Sequence, residues 1–234
     1  MAAFEGFSDE AVKFFRLLRK NNTREWFQPR KEVFDTKIRA VMEELVGLVN
    51  HELGKFAPAH IAEPKKAVYR IYRDTRFSSD KTPYKTHIAA NFPRQGMEKH
   101  AAAGFYFSVS DEEVELAGGL YMPDKDGLLA IRNHIVAEHG RFQKIVREKK
   151  LVGVLGPLQG QALTRVPKGF DPEDAAAEFI RMKQWMFFQT LSGPEWMKSP
   201  GLLMEVSTRF KLVAPLVDFL NEPLVKAAKK PAMF

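Results

Sequence analysis

Cysteine is absent from all 234 residues. That excludes a disulfide scaffold, a thiolate metal site and a cysteine nucleophile, and it fits a reducing compartment. No run of about 18 apolar residues occurs, so no membrane-spanning helix and no membrane partner are expected. The start, Met1 to Glu10, has neither a basic region nor an apolar stretch, so no secretory leader is expected and a cytoplasmic location follows. Cofactor fingerprints are missing too. There is no Walker pattern, no full dinucleotide-binding glycine pattern, no His-Glu-x-x-His and no Gly-x-Ser-x-Gly elbow. Neither a cofactor nor a metal is expected. The six histidines (51, 60, 87, 100, 134 and 139) form no close ligand pair, and the spacing of His134 and His139 is wrong for one helical face.

What is there suffices for a core. Hydrophobic residues make up 45% of the chain, which is enough for one domain over residues 1–234, with a frayed tail from about residue 222. The formal net charge is +7, from 36 Lys and Arg against 29 Asp and Glu, which favours anionic partners. That charge is uneven. Glu63 to His87 holds seven cations and three anions, so this stretch alone carries +4 of the +7. The far end adds Lys226, Lys229 and Lys230.

Periodicity predicts helices, then strands, then helices. Ser8 caps a helix to Lys20 with Val12, Phe15 and Leu18 on one face. Asn22 and Glu25 have capping-box spacing for a short turn; either Asn21, Asn22, Arg24, Glu25 and Trp26 line the same site as the basic stretch that follows, or Trp26 and Phe27 staple two helices. Pro29 opens a second helix, Arg30 to Leu53, which Gly54 ends. The period then changes. Val68 to Tyr72, Thr86 to Phe92, Ala103 to Ser110 and Val114 to Leu120 read as strands, the last two as a hairpin. Helices return from Asp124 to Glu138, with Gly140 as a stop, and from Phe142 to Lys149. Residues 151–169 read as loop, with Lys168 in a tight turn. A helix follows from Asp171, then a strand at Met186 to Thr190, then a helix from Ser199 that Pro215 kinks or restarts. The fold class is α+β: a central, mostly antiparallel sheet with N-terminal and C-terminal helices packed against it. Gly118-Gly119 reads as a close backbone approach or, weakly, as a phosphate-holding turn before a helix.

The stretch Arg70 to His87 carries the sharpest chemistry. Arg70, Arg73 and Arg76 recur every three residues, and a guanidinium presents a planar fork of donors to carboxylate or phosphate. The candidate ligand-binding residues are Arg70, Arg73, Asp74, Arg76, Asp80, Lys81, Tyr84 and Lys85. His87 adjoins them and titrates near neutrality, so it is either a general acid or base or a structural strand residue. The same residues support a second reading, in which Asp74 and Asp80 neutralise arginines and the network simply pins an irregular loop.

The pattern Arg70-x-x-Arg73-Asp74-x-Arg76-Phe77, followed by Asp80-Lys81 and Tyr84, resembles the DUF2461 family. So do Asn21-Asn22-x-Arg24-Glu25-Trp26-Phe27, Gly118-Gly119-Leu120-Tyr121-Met122-Pro123 and Pro167-Lys168-Gly169-Phe170. The resemblance spans roughly residues 5 to 220. It implies bacterial, single-domain proteins of about this length and brings no established activity. Three functions stay open: a pocket for a phosphorylated or other anionic small molecule, a less favoured nucleic-acid-binding face, and a structural or protein-interaction module. Neither the reaction nor the oligomeric state follows from the residues.

Overall fold

The computed structural model describes residues 4–97 and 101–228. His100, Lys229 and Lys230 lie outside the described residues. Ser8 caps α1 (Asp9–Lys20) by accepting from the Ala11 amide at 3.3 Å, and Asp9 and Glu10 sit at the positive end of the helix. Thr23, rather than Asn22, caps the short α2 (Arg24–Phe27), accepting from the Trp26 amide at 3.2 Å. The helix expected over 30–53 is interrupted. A 3-10 turn (Gln28–Arg30), one α turn (α3, Lys31–Val33) and a π turn (Phe34–Arg39) precede α4 (Ala40–Leu53). Within the π turn the Thr36 hydroxyl donates back to the Glu32 carbonyl at 2.8 Å, a bond that loosens regular helix. The short α5 (Pro64–Ala67) follows.

Val68 to Tyr72 is extended but forms no regular strand. It pairs through two antiparallel bridges, Val68 with Ala90 and Tyr72 with Tyr84. Four steps on one side therefore face six on the other, a bulge of two extra residues around Thr86 and His87. The expected strand at 86–92 accordingly starts later, as β1 (Ile88–Phe92). The expected hairpin forms from β2 (Gly104–Val109) and β3 (Glu113–Leu120), closed where the Ser110 amide donates to the Glu113 carbonyl at 2.9 Å.

Asp124 caps α6 (Lys125–Ala137). Gly140 does not stop the chain but lies in the first turn of α7 (His139–Val146). Residues expected as loop form α8 (Lys149–Leu155), because Glu148 caps it with a 2.6 Å bond to the Leu151 amide. The helix expected from Asp171 shrinks to α9 (Ala177–Ile180). Asp171 and Asp174 accept from the amides of Glu173 and Ala176, at 2.9 and 2.7 Å, and these local turns outcompete the helix. After β4 (Trp185–Ser192) and α10 (Glu195–Lys198), α11 runs unbroken from Leu202 to Ala228 through Pro215 and Pro223. Pro215 faces solvent, so water can satisfy the carbonyl it strands.

The strands form one antiparallel sheet in the order β1-β2-β3-β4. With helices before and after, the architecture is α+β. The chain sorts into two compact units. The first holds residues 4–92, 106–116 and 190–208, with Phe15, Phe27, Phe92 and Phe107 in its core. The second holds 93–97, 101–105, 117–189 and 209–228, with Phe105, Phe142, Trp185, Phe187 and Phe219 buried. Gly118 and Gly119 belong to the second unit and lie inside β3, away from any helix start. A Cβ on Gly118 would sit 2.2 Å from Val213, and one on Gly119 (φ +133°) 2.1 Å from the Trp185 carbonyl oxygen. Close approach therefore accounts for both. Among the described residues no helix is long and apolar enough to cross a membrane.

Candidate functional site

All eight residues singled out from sequence fall in the first unit, yet they divide into three groups. Arg73 donates to the Asp80 carboxylate and the Thr82 hydroxyl. Arg76 grips Asp74 with two bonds of 3.0 and 2.8 Å. Lys81 donates to the Thr75 carbonyl at 2.8 Å. These three cations are thus matched by oxygens of their own loop. The pairing holds the Asp74 and Asp80 carboxyls down at about 2, through the hydrogen bonds from Arg76 and Arg73 respectively. Both carboxylates stand in solvent, so the pairs shape the loop more than they stabilise the fold. Phe77 sits at the tip, 94% exposed, with the Arg76 guanidinium 5.7 Å from its ring centroid.

Tyr84 anchors the far end of this loop. It is buried, and its ring stacks on Phe27 at 4.1 Å. Asn22 clamps its backbone, donating to the Tyr84 carbonyl at 2.9 Å and accepting from the Tyr84 amide at 3.1 Å. Phe27 packs inward as a staple, and Trp26 lies 5.5 Å from Phe14 with Arg30 over its face at 4.6 Å. Trp26 and Phe27 are therefore packing residues. Lys168 is a solvated turn residue.

Arg70 and Lys85, at the two ends of the segment, are used differently. Arg70 is exposed and makes no side-chain hydrogen bond or ion pair among the described residues. The Lys85 ammonium lies 5.0 Å from the centroid of the Tyr69 ring. Tyr69 in turn lies 6.4 Å from Tyr106. This leads onto the sheet face opposite the core. Along β2 and β3, Phe105, Phe107, Val109, Val114, Leu116 and Leu120 are buried in alternation. The pleat therefore turns Tyr106, Ser108, Glu113 and Glu115 the other way. Ser108 donates to Glu115 at 3.0 Å across the hairpin. The bulge before β1 delivers His87 to the same neighbourhood.

Most of these side chains are half-buried, and burial dominates their electrostatics. It pushes the Tyr106 hydroxyl up to about 12 and raises Tyr69 as well. It lowers His87, helped by the Lys85 charge and opposed by Glu115. At neutral pH the face therefore presents two protonated phenols and a neutral imidazole beside the Lys85 and Glu115 side chains. Such a set can bind an anionic group through the phenols and ammonium, and can take a proton at the imidazole. Arg19 borders it, donating to Asp111 at 2.7 Å and Thr86 at 3.4 Å. Among the described residues no group of three His, Asp or Glu could hold a metal ion.

Sequence reading singled out Lys85 and His87 but missed Tyr69, Tyr106, Ser108 and Glu115. A signal existed: Tyr106, Ser108 and Glu115 are the polar members of two strictly alternating strands. Alternation alone, however, equally describes a solvated face.

No curated protein matches the chain. The arginine-rich loop and the glycine pair of β3 both lie within residues 10–219, the span matched by the model of the conserved hypothetical protein family DUF2461, and with nearly the whole sequence covered the chain belongs to that family.

Proposed function

We propose that the first unit binds a small phosphate-bearing or otherwise anionic ligand on the polar face of its sheet. The ends of the basic segment serve the ligand, through Lys85 and His87 together with Tyr69, Tyr106 and Glu115. Its middle (Arg73, Asp74, Arg76, Asp80 and Lys81) keeps the loop in shape, and Tyr84 fixes it to the helices. The single observation carrying this reading is the gathering of half-buried polar side chains, shifted by burial, on one sheet face, while the more exposed cations of the loop are internally matched. Perturbed groups of this kind mark functional sites more often than exposed ion pairs do.

The test is a thermal-shift screen against phosphorylated metabolites, since a ligand of the native state raises apparent stability by mass action. Any hit is then followed by NMR of the tyrosine and histidine side chains. Shifts at His87 and Tyr106 support the reading, and shifts confined to the loop arginines refute it. Phe77 beside Arg76 favours a second reading, because an exposed ring next to a guanidinium can stack on a base. Binding of a fluorescent single-stranded oligonucleotide that falls steeply with salt and is lost in Phe77→Ala would favour that reading instead.

A further inference from the structure

A small cavity lies in the first unit against the π turn. Its volume is about 70 Å³, and Lys31, Asp35, Arg39, Arg70 and Tyr72 are among its lining residues. At roughly 30 Å³ per water it holds about two waters. That suits one tetrahedral oxyanion and is far below the roughly 300 Å³ at which drug-sized sites begin.

The walls are basic. The lining holds three cations, Lys31, Arg39 and Arg70, against one carboxylate, Asp35, and with the Arg39–Glu43 ion pair counted a surplus of one charge is left. Lys31 is paired with Asp35, and Arg39 donates at 2.9 Å to Glu43, which lies outside the lining. Arg70 has no such partner among the described residues. It is the one arginine of the sequence motif whose donor fork is unengaged by the loop, and it opens onto this cavity.

The π turn explains the arrangement. In a regular α-helix a spacing of four residues overshoots a full turn by about 40°. Lys31, Asp35 and Arg39 would then spiral away from one another. The wider π turn over Phe34–Arg39 reduces the overshoot, so all three line one wall while Phe34 and Ile38 stay buried. Single π turns recur at functional sites, and here the turn carries Arg39, which shares the lining with Arg70.

We propose that this cavity is a receptor for one tetrahedral oxyanion, held between the guanidinium forks of Arg70 and Arg39 with Lys31 adding charge. It stands apart from the sheet-face reading and shares only Tyr69 with it. Tyr72 is part of the lining, and the two sources that fit are free phosphate and the end of an aromatic phosphate ester.

Inorganic phosphate titrated at constant ionic strength, followed on the arginine Nε–H and histidine Cε1–H resonances, tests it. Saturable shifts at Arg70 and Arg39 are expected, with affinity at least tenfold weaker in Arg70→Ala and intermediate in Arg70→Lys, which keeps charge but not the fork. Arg39→Gln should weaken it as well. Phenyl phosphate separates the two sources: tighter binding than inorganic phosphate assigns the cavity to an ester, equal binding to the free anion. Linear, unsaturable shifts reproduced by sodium chloride would overturn the proposal, as would unchanged affinity in Arg70→Ala. Shifts at His87 without any at Arg70 would sink this cavity and leave the sheet-face site standing. The reverse pattern would do the opposite.

Discussion

The loop between Arg73 and Pro83 and the sheet face around Tyr106 hold similar numbers of polar groups but use them in opposite ways. In the loop, guanidinium meets carboxylate within a few residues and in open solvent, and the charges cancel locally. On the sheet face the groups come from Tyr69, Lys85, His87, β2 and β3, and burial shifts Tyr69, His87 and Tyr106 among them. Density of charge along a sequence is therefore a poor guide to which side chains their surroundings perturb. Burial is the better one.

The largest effect expected in separating the two regions comes from their shared anchor. Tyr84→Ala removes a buried, stacked ring and should cost about 3–5 kcal/mol, read by urea unfolding. Asn22→Ala strips both hydrogen bonds from the Tyr84 backbone and should cost about 1–3 kcal/mol in the same assay. If either variant matches the parent chain, the loop is not held from this side.

Ligand response should then divide the regions cleanly. Lys85→Ala and Tyr106→Phe are expected to weaken any thermal-shift hit about tenfold or more, a change of roughly 1.4 kcal/mol. Arg76→Ala should leave it unaltered, because Arg76 engages only Asp74 and Phe77 of its own loop. Equal losses in all three would erase the distinction between the regions.

The smallest effect is in pH. His87 is depressed in the folded state, so the unfolded chain takes up its proton first. Stability should hold above the ordinary histidine value near 6.5 and decline as pH falls below it towards the folded value. His87→Gln should flatten that part of the curve. Asp74 and Asp80 act lower down: their contribution is present above the usual carboxylate range and fades as pH drops towards about 2. Denaturant midpoints measured across pH resolve the two limbs.

Much of the fold was legible because it depends on local pattern. Ser8 and one of Asp124 or Asp126 read as caps, and the alternation of Phe105, Phe107 and Val109 read as a strand. What failed depended on competition. Asp171 looks like a helix starter, yet it and Asp174 close turns on themselves, and Pro215 looks like a break, yet it faces solvent within an unbroken helix. The site was half legible. The basic segment announced itself by charge, and its end residues Arg70, Lys85 and His87 open onto the cavity and the sheet face. Which cations its own carboxylates would absorb depends on loop geometry, and no spacing rule supplies that. Tyr106 and Glu115 gain meaning only once the hairpin register sets Glu115 opposite Ser108 and the Tyr69 segment lies near Tyr106.

The two additional residues at Thr86 and His87 have a cost and a use. Excising them would let Val68 to Tyr72 zip continuously against its neighbour, turning two isolated bridges into an uninterrupted five-residue ladder. Such a shortened chain should be sturdier, and it would have no imidazole at the sheet surface. The irregularity sets rigidity against reactivity at a single point in the backbone.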